Sequence, residues 1–272
     1  AGNENLVLNN LIYDLNGTGT IYAIYNSGSS YIKYYNNSIS LDDANATSGT
    51  TRGFYQTTTA DGIDFQNNII SITRAGSGSK HGIYLNATAS TITSDTNCIN
   101  INAPAGTNSY GYYSGNQSTF ANWQAANSAS FDQNSIDANP LFLGTTNLTP
   151  SNPAINNVAA VFSSVTEDFN GIARSGTPDI GAIEFTPPTC LQPTALSAAN
   201  ITTTTASLSW TPASGTTTWE VEYGVTGFTP TRKGTVTTAN PFNISGLAAF
   251  TTYDFHVRSI CGEEDLSTWA VG

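Results

Sequence analysis

Charge is what this sequence has least of. Asp, Glu, Lys and Arg together make up 10% of its 272 residues. Only eight are basic against nineteen acidic, a formal net charge of −11 with a pI near 4.3. Nothing here can neutralise a row of phosphates, which argues against nucleic acid as a partner. No stretch approaches the roughly 20 apolar residues of a membrane-spanning helix. No signal peptide opens the chain either. Ala1-Gly2-Asn3-Glu4 runs almost at once into repeat-like sequence, as expected of a piece of a longer, processed polypeptide. Cysteine is limited to three residues. Cys98 lies in a repeat strand and reads as a small buried apolar residue rather than a reactive thiol. Solubility falls to Thr, Ser, Asn and Gly, a habit of secreted and surface proteins.

What is present is a spaced echo. Tyr25, Tyr55, Tyr84 and Tyr113 recur at intervals of 30, 29 and 29, in Ala23-Ile24-Tyr25, Gly53-Phe54-Tyr55, Gly82-Ile83-Tyr84 and Gly111-Tyr112-Tyr113. A second series, led by Asn37, Asn68 and Asn97, runs out of phase with the first at 31 and 29, with Asn10-Leu11-Ile12 as a less regular early copy. Such periodicity signals stacked repeats, because one unit alone cannot bury its apolar face. The units are too poor in helix formers for a helical solenoid. They are short Ile, Tyr, Phe and Thr stretches broken by Gly, Ser, Asn and Asp, which is strand-and-turn chemistry. The spacing predicts a parallel β-helix, its rungs about 4.8 Å apart. Ile39, Ile70 and Ile99, with Leu41, Ile72 and Ile101, point inward by strand alternation. Ile32, Ile63 and Ile92 do the same one strand earlier, leaving Lys33, Asp64 and Thr93 outside. The Asn series occupies a corner, where stacked amides bond one another from rung to rung and tolerate tight-turn dihedrals. The four tyrosines are expected in one column.

After Tyr113 the pattern changes. Ser118-Thr119-Phe120-Ala121-Asn122-Trp123-Gln124 reads as a short helix capped by Ser118. Then follow Asp132-Gln133-Asn134-Ser135-Ile136, Asn139-Pro140-Leu141-Phe142, Ser151-Asn152-Pro153-Ala154, Asp168-Phe169-Asn170-Gly171-Ile172-Ala173-Arg174 and Asp179-Ile180-Gly181-Ala182-Ile183-Glu184. This string resembles the C-terminal portion of secreted bacterial right-handed parallel β-helix proteins, and the resemblance covers residues 1–186. Asp168, Arg174, Asp179 and Glu184 form its charged cluster. Arg174 can bridge carboxylates while the last turns close the open end of the coil, an edge that would otherwise invite pairing.

Pro187-Pro188-Thr189 marks a linker, and residues 187–272 read as a second domain. Short alternating stretches such as Ala206-Ser207-Leu208-Ser209-Trp210 and Trp219-Glu220-Val221-Glu222-Tyr223 suggest a β-sandwich. Trp210, Tyr223, Leu247 and the Tyr253-x-x-x-Val257 strand resemble a fibronectin type III domain. Cys190 and Cys261 match a variant of secreted Bacteroidota proteins, a resemblance that implies a disulfide between them and an oxidising compartment. The chain reaches only Gly272 after Ser267-Thr268-Trp269, so the last strand is expected to be short or missing.

Parallel β-helices also host polysaccharide lyases and hydrolases, which need a positioned base and charge neutralisation of a uronate, or paired carboxylates across a groove. Lys80 and His81 before Gly82, with Arg74 upstream, are the best basic constellation; the rival reading is a solvated loop. Asp42, Asp43, Asp61 and Asp64 are candidates for acids or for a calcium site, but their places at strand starts and ends are ordinary turn usage. The all-β reading is therefore a right-handed parallel β-helix followed by a fibronectin type III-like sandwich, without a catalytic site and with calcium as the one cofactor kept open. The resemblance implies an adhesin-like segment of a secreted or cell-surface protein exported by the type IX machinery. Surface glycans or other surface proteins are its expected partners. The alternative is a polysaccharide lyase or glycoside hydrolase with an accessory module.

Overall fold

The computed structural model describes residues 5–272 except Ser175, Ser214, Arg232 and Glu264; Ala1–Glu4, expected to lead into the coil, lie outside the described residues. The chain divides into two compact units, Ala1–Pro187 and Pro188–Gly272.

The first unit is a parallel β-helix. Its first rung holds β1 (Asn5–Leu8), β2 (Leu11–Ile12) and β3 (Ile21–Asn26). The second holds β4 (Ile32–Tyr35), β5 (Ser38–Leu41) and β6 (Thr51–Gln56). The third holds β7 (Ile63–Gln66), β8 (Ile69–Ile72) and β9 (Lys80–Leu85), and the fourth β10 (Ile92–Asp95), β11 (Cys98–Ile101) and β12 (Asn108–Tyr113). Like pairs with like, giving three parallel walls: β1-β4-β7-β10, β2-β5-β8-β11 and β3-β6-β9-β12, the last edged by the short antiparallel β13 (Asn116–Gln117). Isolated parallel bridges from Ser94 to Phe131 and from Cys98 to Ile136 begin a further, incomplete turn.

Inside the coil, Ile39, Leu41, Ile70, Ile72, Ile99 and Ile101 join Phe54, Phe65, Ile63 and Ile83 in one continuous core. The asparagine ladder runs beside it. Asn37 Nδ2 donates to Asn68 Oδ1 at 2.9 Å and Asn68 Nδ2 to Asn97 Oδ1 at 3.2 Å, while Asn10 donates to Asn37 Oδ1 through backbone and side chain. Each amide also reaches a carbonyl of the rung below, at Val7, Tyr34 and Phe65. The tight-turn dihedrals fall one residue earlier than expected: Asn36, Asn67 and Thr96 hold φ of 53°, 58° and 51°. The corner thus splits its two tasks between adjacent residues, one turning the chain and the next bonding along the axis.

The last rung is closed by α1 (Phe120–Ala129), whose cap is Thr119 and not Ser118: the Thr119 hydroxyl accepts the Asn122 N–H at 3.1 Å. Trp123, fully buried, lies over Gly111, where an added Cβ would stand 2.1 Å from its ring. Trp123 Nε1 donates to Asp132 at 2.7 Å, and the same carboxylate accepts from Ser94, Asn97 and Ser135. Asp132 thereby terminates the amide ladder.

The second unit packs two antiparallel sheets. One holds β14 (Thr194–Ala199), β15 (Thr205–Thr211) and β18 (Phe242–Ser245). The other holds β16 (Trp219–Val225), β17 (Thr235–Thr237), β19 (Tyr253–Ser259) and β20 (Ala270–Val271). A last strand is therefore present, two residues long, where the sequence led to the expectation of a short or missing one. Leu208, Trp210, Trp219, Val221, Phe255 and Val257 form the core between the sheets. Cys190 and Cys261 are disulfide-bonded with Cα atoms 5.6 Å apart, and Cys98 is free and buried in the coil.

Candidate functional site

The outer side of the β3-β6-β9-β12 wall carries two parallel rows of side chains, all large but the last of one row. Register places Tyr22, Arg52, His81 and Ser109 in one row, and Tyr25, Tyr55, Tyr84 and Tyr112 in the other. Members of the two rows lie three residues apart along each strand, which strict alternation would send to opposite faces. Gly53 and Gly82 explain the exception. An added Cβ on Gly53 would stand 2.6 Å from Ile70, and one on Gly82 3.0 Å from Ile99, so both face the core beside their neighbours Phe54 and Ile83. Two successive inward residues leave the positions on either side both facing out.

The fourth column member is Tyr112, not Tyr113. Tyr112 pairs with Tyr84, whereas Tyr113 pairs with Leu85 and packs edge-on against Phe131 at 5.4 Å. The fourth rung is one residue shorter than the tyrosine spacing implied. Gly111 takes the inward position of Ile83 and leaves its volume to Trp123.

The rings touch along the coil. Tyr25 and Tyr55 have centroids 5.3 Å apart, Tyr55 and Tyr84 5.3 Å, and Tyr84 and Tyr112 4.2 Å with planes within 5°. Tyr22 lies 4.8 Å from Tyr55, and His81 4.9 Å from Tyr84. Into this surface Arg52 inserts its guanidinium, 3.9 Å from the Tyr55 centroid and 3.6 Å from that of Tyr84, within cation–π range of both. Neither Nε nor Nη1 of Arg52 has a hydrogen-bond acceptor. His81 is buried and shares a hydrogen bond of 2.8 Å with Asn116 Oδ1; the oxygen can only accept, so Nε2 carries the proton and Nδ1 is left without a partner. Burial, with Arg52 alongside, pushes the His81 pKa below the usual histidine range, which keeps it neutral. Within the column only Tyr84 and Tyr112 are stacked face to face; Tyr25 and Tyr55 are tilted by 40° and Tyr55 and Tyr84 stand nearly perpendicular. A ligand lying along the column therefore meets a mixture of ring faces, ring edges and phenol hydroxyls. Tyr25 is the most open of them, at 55% exposure.

The basic constellation of the sequence does not assemble. Lys80 and His81 are neighbours on β9 and alternate to opposite sides. Lys80 is fully buried and donates to the carbonyls of Gly76 and Ala105. Arg74, equally buried, donates to the carbonyls of Gly17, Gly19 and Ser48 and to Thr51 Oγ1. Burial, reinforced by Arg74, pushes the Lys80 pKa down. Both cations tie together the loops that follow β2, β5, β8 and β11, and neither reaches the face where His81 stands. The reason lies in those loops. Gly19, Gly49, Gly78 and Gly106 stack so closely that an added Cβ on Gly78 would stand 1.9 Å from the Gly49 carbonyl oxygen. Backbone carbonyls crowd there, and buried cations satisfy them.

The acidic candidates scatter. Asp43 accepts the Gly17 and Asn45 amides in a turn, which lowers its pKa, and Asp64 accepts from Tyr35 and Gln66 on another wall. Asp61 is exposed and accepts from Thr91. Among the described residues no three His, Cys, Asp or Glu side chains gather as a metal site requires.

The cluster of Asp168, Arg174, Asp179 and Glu184 does come together, but along the side of the coil and not over its open end. Arg174 is ion-paired with Glu184 and donates to Asn9 Oδ1 at 3.0 Å and to the Gly181 carbonyl at 2.8 Å. Asp168 accepts the Glu184 amide, and Asp179 those of Asn157 and Phe185. Asn9, Asn36 and Asn67, the left-handed corner residues of three successive rungs, bond the segment at Glu167, Gly181 and Ala160. Their corner conformation turns polar groups outward, which gives the segment a lateral seat. Its apolar residues Ile155 and Ile180 pack on Ile69 and Cys98, covering the outer face of the β2-β5-β8-β11 wall.

In the second unit, Glu220 and Arg258 form a buried pair bonded through both Nε and Nη2, at 2.7 and 2.5 Å. The sequence of residues 191–270 matches the family model for the fibronectin type III domain. Residues 191–270 are a fibronectin type III domain. Among solved structures, the fibronectin type III domain of human collagen XX is 25% identical, over 34% of this chain and 98% of that one, at a TM-score of 0.26. A segment of two fibronectin type III domains from chicken tenascin is 20% identical, over 37% and 58%, at 0.27. Titin kinase with its flanking domains is 20% identical, over 30% of this chain but 16% of that one, at 0.26. No curated protein matches the chain.

Proposed function

We propose that this chain is a ligand-holding, non-catalytic segment of a modular extracellular protein, adhesin-like in role, with surface glycans as its ligand class. The observation that carries the reading is the two-row outer face of the β3-β6-β9-β12 wall: five tyrosines, an arginine and a histidine in mutual contact on a rigid coil. Tyrosine combines an apolar ring with a polar tip and has few rotamers to lose, which suits it to gripping a hydroxylated, half-apolar ligand. The rungs repeat every ~4.8 Å, a step comparable with the length of a pyranose ring. The hydroxyls of Tyr22, Tyr25 and Tyr55 make no hydrogen bond within the described residues and are free to meet sugar hydroxyls.

The fibronectin type III domain and the disulfide support an extracellular setting. No helix among the described residues is long and apolar enough to cross a membrane. Export by the type IX machinery of a Bacteroidota cell rests on the resemblance alone. Surface labelling of the protein in a source strain with that machinery deleted tests it.

The binding test uses the whole chain against an immobilised glycan panel, with Tyr55→Ala/Tyr84→Ala as the comparison. Retention of a glycan by the wild type and its loss in the variant, at unchanged circular dichroism, supports the reading. Turnover of pectin, alginate or chondroitin to unsaturated or reducing-end products would replace it with the lyase or hydrolase alternative. With Arg74 and Lys80 bonded to carbonyls, such activity would have to work through His81.

A further inference from the structure

We infer that the tyrosine face selects acidic saccharides, with Arg52 reading a ring carboxylate; this rests on the glycan-holding reading above. The coil's Lys and Arg residues are Lys33, Arg52, Arg74, Lys80 and Arg174. Arg74 and Lys80 are bonded to backbone carbonyls and Arg174 to Glu184, while Lys33 stands opposite Asp64 on another wall. Arg52 differs from all of them. Its guanidinium has rings around it in place of an anion, and its Nε and Nη1 are buried without any acceptor, so its charge is left uncompensated.

The distribution of acid points the same way. The chain is strongly acidic, and the β1-β4-β7-β10 wall displays Asp64 and Asp95 on its outer side. The outer rows of the β3-β6-β9-β12 wall consist of Tyr22, Arg52, His81, Ser109, Tyr25, Tyr55, Tyr84 and Tyr112, without one carboxylate. With His81 held neutral, the face carries a single full positive charge at neutral pH. A guanidinium fixed between two rings has already lost its rotamer freedom, so little ordering cost remains when a carboxylate arrives. A carboxylate brings the opposite charge that this uncompensated guanidinium lacks, which a neutral sugar hydroxyl does not.

The test is calorimetric titration of the whole chain with four probes of equal length: an oligogalacturonate, its methyl ester, a sulfated oligosaccharide and a neutral oligoglucan. The expected result is at least tenfold tighter binding of the acid than of its ester, weakened by added salt. Arg52→Gln should weaken the acid far more than the ester and bring the two to similar affinities, while Arg52→Lys should restore part of the difference. Equal affinity for acid and ester would overturn the inference and leave glycan holding intact. So would an Arg52→Gln variant that weakens both alike, since that marks a packing role. Tighter binding of a sulfated oligosaccharide than of the uronate would also overturn the carboxylate assignment. If no probe is bound, the glycan-holding reading falls and this inference falls with it.

Discussion

Two walls of the same coil share rung spacing, strand direction and core, yet end in opposite states on their outer sides. The β2-β5-β8-β11 wall is sealed. Every residue of β5, β8 and β11 is buried, and Ile69 and Cys98 face outward into Ile155 and Ile180 of the closing segment. The β3-β6-β9-β12 wall is left open and carries tyrosines in contact with one another. The coil itself is therefore neutral about function. Its outward residues decide whether a wall becomes interior or stays exposed: the small Ser38, Ser40 and Ser71 with the apolar Ile69 and Cys98 on the sealed wall, against Tyr25, Tyr55 and Tyr84 on the open one.

The sharpest way to break this comparison is to place one substitution on each wall. Ile69→Asp should abolish coil folding or cost more than about 4 kcal/mol, because an unpaired charge would be buried beneath the closing segment. Tyr25→Asp should cost less than about 1 kcal/mol, since the ring is 55% exposed and a charge there stays in water. Hydrogen exchange on coil peptides separates the two, and comparable losses would erase the distinction between the walls.

A smaller effect is expected at the ladder the walls share. Asn68→Ala should cost about 2–4 kcal/mol, because it removes the acceptor of the Asn37 side chain and backbone N–H, a donor to Asn97 and a donor to the Tyr34 carbonyl, all inside the protein. Loss of protection should spread over the second to fourth rungs. Gly78→Ala should follow at about 1–3 kcal/mol, as the loop stack gives way to relieve the contact with the Gly49 carbonyl. Its protection loss should stay near Arg74 and Lys80 and spare the tyrosine wall. Loss across both walls would show that the loops and the tyrosine face move as one.

Much of the fold could be read from period and composition, because each rung repeats the same local chemistry. Where the reading slipped, a different column held the better signal. Gly19, Gly49, Gly78 and Gly106 recur at 30, 29 and 28, the intervals of Tyr25, Tyr55, Tyr84 and Tyr112. A glycine whose Cβ would strike the next rung cannot drift in register, whereas a tyrosine pair such as Tyr112-Tyr113 offers two choices. Arg52 was visible only as a coil cation, because two of its three ring partners, Tyr22 and Tyr84, lie a full rung away in sequence. Its place three residues before Tyr55, matching Tyr22 and His81 before Tyr25 and Tyr84, is the pattern that would have found it. The sealed wall left its own trace in Ile69-Ile70-Ser71-Ile72, a run without polar alternation that marks a strand covered on both faces. Which segment covers it was not legible, since the contacts between Asn67 and Ala160 or between Ser38 and Ala182 span about a hundred residues or more.

The smallest expected effect concerns pH on the open wall. Burial holds the His81 pKa below its unfolded value, with Arg52 adding to the shift and the Asn116 bond opposing it. The unfolded chain therefore takes up the His81 proton at a higher pH than the folded coil does. Above the unfolded value of ~6.5 the two states bind equally few protons at this site and stability is unaffected. As pH falls below it the unfolded state gains a proton first, and coil stability drops until the folded state is protonated too. Asp132, Asp179 and Glu184 act in the opposite sense, because burial raises their pKa values and lets the folded state take protons first. The His81 contribution is therefore read as a difference, wild type minus His81→Gln, in urea unfolding between pH 7.5 and 5. That difference should shift against the wild type as pH falls, by less than any of the effects above. A flat difference would mean that His81 titrates as an exposed histidine, and the open wall would then carry a second cation beside Arg52 in mildly acidic surroundings.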